Sequence, residues 1–306
     1  SSNSSRIGVK GSHKVSDSLT AVYQMEFGVN VDSNSGLGGR NTFAGLAGGF
    51  GTIVFGKHDT PMKALGNKVA LDWGTTQLGG ARHIRSVKDG GAGFDMRANN
   101  VIGYINSFGP VNVFAAYVTD HGILPQTTSA ASENNDTDAM SVSLGLGNGK
   151  PYYVGVAYEQ HNIANLGSES ESAIRLGGTY KIGAVKLAGL YQQTTDVGFV
   201  DGNERTVMGL GAALKMGKNT LKAQYYVADD LETNAGATAN SGGDLIMVGV
   251  DHKLSKMTDI YAQYTMLSDD GSGAFAKLGG NGHGESITAE NGGEASGLSL
   301  GLRVKF

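Results

Sequence analysis

Residues 298–306 read LSLGLRVKF, with Leu298, Leu300, Leu302, Val304 and Phe306 on one parity and Ser299, Gly301, Arg303 and Lys305 on the other. Successive side chains of a β-strand point to opposite faces, so this stretch is a strand with one apolar and one polar face. Working back along the chain, the same alternation recurs. Leu221, Ala223, Tyr225 and Val227 oppose Lys222, Gln224 and Tyr226, and Ile174, Leu176, Tyr180 and Ile182 oppose Arg175, Gly177, Thr179 and Lys181. Met140, Val142, Leu144 and Leu146 oppose Ser141, Ser143, Gly145 and Gly147. This pattern predicts fifteen strands, at 4–13, 19–31, 40–48, 51–58, 99–107, 111–119, 139–147, 152–161, 172–182, 185–194, 205–216, 220–228, 245–254, 258–268 and 295–306. Most run to about ten residues, the length with which a tilted strand crosses a bilayer.

Composition narrows the environment. With 40% hydrophobic residues, 12 Tyr and 10 Phe in 306 residues, the chain is too rich in aromatic and apolar groups to be disordered. It has no cysteine, which excludes disulfides, thiolate metal sites and cysteine nucleophiles. No apolar run approaches the roughly 18 to 20 residues of a spanning helix, and the mean hydropathy is −0.17. A transmembrane barrel exposes only alternate residues to lipid, so its mean hydropathy resembles that of a water-soluble protein. The opening SSNSSRIG has neither a charged leader nor an apolar run, and a signal peptide is expected to have been removed already.

The connectors carry a second regularity. Tight turns, such as Ser16-Asp17, Asn148 to Pro151, Gly183-Ala184 and Gly217 to Asn219, alternate with longer polar segments. The long segments 120–138, 165–171, 196–204, 229–244 and 269–294 hold 18 acidic residues against one lysine, Lys277. Cations sit instead on polar strand faces, among them Arg6, Lys10, Arg175, Lys181, Lys222 and Arg303. Short turns on one side and long loops on the other describe an outer-membrane barrel, and such barrels have an even strand count. The expectation is a sixteen-stranded antiparallel transmembrane β-barrel, all-β and one domain over 1–306, whose first strand precedes Ser1.

Residues 59–98 break the rhythm with a long insertion that holds the only tryptophan, Trp73. A loop of this length inside a compact unit is usually functional. A sixteen-stranded barrel is too wide for its own side chains to fill, and an inserted loop narrows it. In it Lys63, Lys68, Arg82, Arg85, Lys88 and Arg97 outnumber Asp59, Asp72, Asp89 and Asp95.

Several blocks then carry a resemblance: SRIGVKG at Ser5 to Gly11, AVYQMEFGVNVD at Ala21 to Asp32, GRNTFAGLAGGFGTIVFGKHDTP at Gly39 to Pro61, NNVIGYI at Asn99 to Ile105, and the terminal Phe306. In order and content they resemble the Gram-negative general diffusion porins of beta- and gamma-proteobacteria. The resemblance implies a trimeric outer-membrane barrel for passive diffusion of small hydrophilic solutes, with the third loop, Asp59 to Ala98, folded into the pore. It also implies constriction arginines at Arg6, Arg40 and Arg97, and an assembly signal at Phe306 read by the outer-membrane assembly machinery. Alternation by itself turns Arg6 inward, because Ile7 and Val9 take the lipid face. Arg40 lies on a strand where Phe43 and Leu46 fall on opposite parities, which calls for a β-bulge. Two departures stand out: the family's first strand is absent, and the third loop is more basic than the acid version many relatives carry.

Pore chemistry is physical, with diameter setting a size limit and clustered charges setting ion preference. Arg6, Lys10, Arg40 and Arg97, with Arg82 and Arg85 of the loop, are expected at the constriction beside the loop acids Asp72 and Asp95, giving a weak anion preference. The acidic outer loops favour divalent cations bridging to lipopolysaccharide and outer-membrane lipids. No cofactor, resident metal or nucleic acid is called for. The glycine-rich GLGAAL at 209–214 and GLGNG at 145–149 open no helix, so phosphate binding is set aside in favour of strand glycines where bulk is unwelcome. Asp201 to Glu204 and Asp269 to Gly271 lack the full calcium-loop pattern. His58 and His83 fall near the constriction as solvated side chains, and nothing assembles a catalytic constellation. The competing reading is a secreted soluble all-β adhesin or lectin, which explains the alternation but neither the connector rhythm, the aromatic terminus nor the insertion.

Overall fold

A computed structural model describes residues 5–31, 36–71, 78, 80–86, 89, 93–119, 137–163, 170–279 and 286–306. Nineteen strands occur among them: β1 (Arg6–Lys14), β2 (Leu19–Val29), β3 (Leu37–Gly48), β4 (Gly51–Asp59), β5 (Arg97–Phe108), β6 (Val111–Val118), β7 (Thr137–Leu146), β8 (Tyr152–Ile163), β9 (Ser170–Ile182), β10 (Val185–Thr195), β11 (Glu204–Met216), β12 (Asn219–Ala228), β13 (Leu231–Thr233), β14 (Gly236–Thr238), β15 (Gly243–Lys253), β16 (Thr258–Asp269), β17 (Lys277–Gly279), β18 (Ser286–Thr288) and β19 (Glu294–Val304). The fifteen long ones are those that alternation picks out, with ends displaced by a few residues. The four short ones form two hairpins inside long connectors, β13 with β14 and β17 with β18, which period-two reading passes over because three residues carry too little pattern.

Each long strand pairs antiparallel with the next, from β1 with β2 through β9 with β10 to β12 with β15, β15 with β16 and β16 with β19. The two faces of this sheet reverse the usual order of burial. On β9, Ile174 and Leu176 are 43% and 48% exposed while Arg175 is fully buried. Leu298, Leu300 and Leu302 likewise stand out from β19. An apolar outer face around a polar interior is stable only where hydrocarbon replaces water.

The interior is filled on one side. Residues between β4 and β5 fold inward as helix α1 (Pro61–Val69) and the short helix α2 (Arg82–Arg85), so the insertion is partly helical where the strand rhythm left it without structure. Thr60 caps α1 by accepting from the Lys63 amide, and Pro61 occupies the first helical position, where its missing N–H leaves no bond unmade. The loop base is closed by the Thr60 amide donating to the Met96 carbonyl at 3.1 Å. From there Met62, Leu65, Val69, Leu71 and Ile84 pack with Tyr226, Leu245, Met247 and Leu267 of the far wall and with Phe275 and Leu278 of an outer loop. Wall glycines make room for them: a Cβ on Gly155 would stand 2.8 Å from Leu65, and one on Gly211 2.8 Å from Leu71. Gly211 belongs to GLGAAL, where bulk is indeed unwelcome. The lumen faces of β1 to β4 remain largely half-buried or exposed, and the channel runs along them.

Candidate pore constriction

Two bulges aim neighbouring charged side chains of this wall into the channel. Between β2 and β3 the register steps from Met25↔Thr42 to Phe27↔Gly39, so Arg40 and Asn41 together oppose Glu26. Between β4 and β5 it steps from Gly56↔Val101 to His58↔Ala98, so Asn99 and Asn100 oppose Lys57, with Asn100 left-handed at φ 52°. A bulge places two residues against one and turns the local strand, which is how neighbouring side chains come to share a face.

Around these bulges lie two mixed-charge groups. In the first, Arg6 Nε is 3.5 Å from Glu26 Oε1 and Arg40 Nε is 2.8 Å from Glu26 Oε2. In the second, Arg97 Nε is 2.9 Å and Lys63 Nζ 3.1 Å from Asp59 Oδ1, and Arg97 also donates to Asn41 Oδ1 at 2.7 Å. Arg82 is half-buried and in electrostatic range of Arg97 and Asp59. Burial pulls the Lys63 ammonium below its ordinary value, with Asp59 opposing. Lys10 is exposed on β1 opposite Gln24. Four cations thus meet two carboxylates.

Two residues expected at the constriction lie elsewhere. Arg85 and Asp95 are 3% and 6% exposed and do not line the channel. Arg85 Nε is 2.7 Å from Asp95 Oδ2, and its Nη1 donates to the Gly66 carbonyl at 3.1 Å. Asp95 also receives Arg175 Nη1 at 3.0 Å, while Arg175 donates to the carbonyls of Met62 and Phe94 and to Gln192. A loop docked on a polar wall must satisfy the wall's charges, and the loop's own ions are drawn into the seam to do so. Burial would raise the Asp95 carboxyl, but the Arg85 and Arg175 charges prevail and hold it at about 2. A second anchor joins Arg205 on β11 to Asp89 of the loop at 2.8 Å. Asp72 lies outside the described residues, and Phe306 is 97% exposed.

Alternation could have found Glu26, which shares the parity of Gln24 against Tyr23, Met25 and Phe27. The anchoring roles of Arg175 and Arg205 are not local: their partners lie 80 and 116 residues away. In the outer loops, acids are engaged by backbone. Asp269 accepts from the amides of Gly271, Gly273, Phe275 and Gly292, and Asp230 from those of Ser241 and Gly242. Among the described residues, no three acidic or histidine side chains cluster as metal ligands.

An antiparallel barrel with an apolar exterior, a loop folded inside and charged groups around the remaining gap defines a membrane channel. Residues 1–272 match the Gram-negative porin family, and the chain belongs to it. It is 28% identical to outer membrane porin protein 32 of Delftia acidovorans, over 99% of this chain and 85% of that protein. It is also 28% identical to an outer membrane porin protein of Bordetella pertussis, over 85% of this chain and 76% of that protein. Its fold superimposes on an anion-selective porin from Comamonas acidovorans with a TM-score of 0.81 and 26% identity, covering 100% of this chain and 90% of that one. OmpT of Vibrio cholerae, in a trimer form, shares the fold at a TM-score of 0.70 and 19% identity, with 99% and 92% covered. The protein is an outer-membrane porin of a Gram-negative bacterium and passes small hydrophilic solutes by passive diffusion. That sets aside the soluble adhesin, and the family consists of channels rather than enzymes.

Proposed function

We propose that the pore has a weak anion preference, set by Arg6, Arg40, Arg97, Lys63 and Arg82 with Lys10 nearby. The observation that carries this reading is the surplus of cations over carboxylates at the gap among the described residues, while the loop acids Asp89 and Asp95 are engaged by Arg205 and Arg175 of the far wall and by Arg85 of the loop itself. A local positive potential raises the concentration of anions at the narrowest point. The Comamonas relative, an anion-selective porin, supports the same sign. The test is the reversal potential across a salt gradient in a planar bilayer. Replacing Arg6 and Arg97 by serine shifts it toward cations, and an unchanged potential would remove both from the filter.

The same proposal extends to assembly. The protein forms a homotrimer, a state supported by the trimer form of the Vibrio cholerae relative. Its acid-rich outer loops meet divalent cations and lipopolysaccharide, and Phe306 serves the outer-membrane assembly machinery. Conductance steps in groups of three report the trimer, and deletion of Phe306 lowers the yield of folded protein in the outer membrane.

A further inference from the structure

The lumen of a water-filled barrel is polar, yet one stretch of this channel wall is aromatic. Phe43 on β3, His58 on β4 and Phe114 on β6 form a connected row, with ring centroids 5.1 Å apart for Phe43 and His58 and 5.3 Å for His58 and Phe114. The first pair is tilted at 49° and the second edge-on at 80°. Register puts all three on the inner face: Phe43 pairs with Gly56, His58 with the fully buried Ala98, and Phe114 shares its face with Gly103, whose Cβ would lie 3.5 Å from the ring. None of the three is buried. The His58 Nδ1–H donates to the Asp59 carbonyl at 2.8 Å, which fixes the imidazole plane beside its neighbours.

The row adjoins the charged gap. Asp59, the residue after His58, is the carboxylate that Arg97 and Lys63 share, and Arg40 lies three residues from Phe43 across the bulge. A strand advances about 3.3 Å per residue, so cationic and aromatic groups stand within the length of one small solute. We infer that this wall is a subsite for small aromatic carboxylates, the ring packing against the row of Phe43, His58 and Phe114 and the carboxylate reaching Arg97 or Arg40. It deepens the anion reading proposed above and rests on it. Aromatic pairs add an attraction that a carboxylate of equal charge without a ring cannot gain.

Benzoate and acetate, compared as blockers of the chloride current through single channels in a planar bilayer, test it. Benzoate half-blocks at a lower concentration than acetate. Phe43→Leu raises the benzoate value about two- to tenfold, the equivalent of one lost aromatic contact, whereas Phe43→Tyr, which keeps the ring, retains it. Equal block by the two anions in a pore that still prefers chloride over potassium would overturn the subsite and leave the anion reading standing. A pore that prefers potassium would overturn the anion reading, and with it the carboxylate half of the subsite.

Discussion

Arg175 on the barrel wall and Asp95 on the inserted loop meet at 3.0 Å with neither side chain more than 2% exposed. The same guanidinium donates to the Met62 carbonyl in the first turn of α1 and to the Phe94 carbonyl on the returning limb. One side chain therefore clamps both limbs of the loop to β9, and the channel keeps its shape because the loop cannot leave without stranding buried charge.

Arg175→Met breaks that clamp and leaves Asp95 with Arg85 alone. The expected loss is about 3–5 kcal/mol, the range for removing one partner of a buried pair. Thermal unfolding in detergent measures it, and a loop freed from its wall adds noise to the open-channel current. A variant as stable and as quiet as the parent would show that the clamp is dispensable.

Acid should act on the same seam. Burial raises the Asp95 carboxyl and the two arginines lower it further, to about 2, from an unfolded value of 3.8. A depressed carboxylate contributes stability that is fully present above the unfolded value and is lost as pH falls through the folded one. The unfolding temperature should therefore hold from neutral pH down to about 4 at this group and decline between about 4 and 2. Asp95→Asn, measured alongside, begins less stable and loses that part of the acid slope.

Glu26 is the carboxylate that Arg6 and Arg40 share, one oxygen to each. Glu26→Gln removes its charge and frees both guanidinium groups toward the channel. The reversal potential then moves further toward anions, opposite in sign to the shift expected for Arg6→Ser with Arg97→Ser. Movement in the same direction by both variants would separate selectivity from these charges.

Gly177 on β9 faces Val69 so closely that an added Cβ would stand 3.1 Å from Cγ1. Gly177→Leu has no room against the wall and pushes the end of α1 toward the open half of the lumen. Overpacking of this kind costs about 1–3 kcal/mol, and here it also narrows the pore. Single-channel conductance falls while the sign of ion selectivity persists; unchanged conductance would mean the helix yields in another direction.

Much of this architecture was legible in one dimension, because a strand between lipid and water must alternate. That constraint is local and repeats every two residues, so all fifteen long strands and the inward turn of Arg6 can be read directly from residue parity. The bulge at Arg40 and Asn41 could not: the register runs unbroken past Phe43 and Leu46, which differ in parity because Phe43 faces the lumen and Leu46 the lipid. The existence of the insertion follows from the same rhythm by contrast, and its inward fold from the width of a sixteen-stranded barrel and from the family resemblance. Its helices were harder to see. Thr60-Pro61 is a start signal, but nine residues of α1 carry a face shaped by the glycines of a distant wall rather than by a repeat.

What the folded chain alone decided is which charges stay in the channel. Arg82 and Arg85 sit three residues apart in one short helix and are equivalent in sequence, yet Arg85 is drawn into the seam with Asp95 while Arg82 stays half-buried near Arg97. The difference arises from Arg175 and Gln192 on β9 and β10, whose side chains reach the loop only when the barrel curves around it. Alternation specifies a face, since it depends on neighbours two residues away. Ion pairing selects partners through space, and in a barrel those partners are brought together only when the sheet curves round the inserted loop.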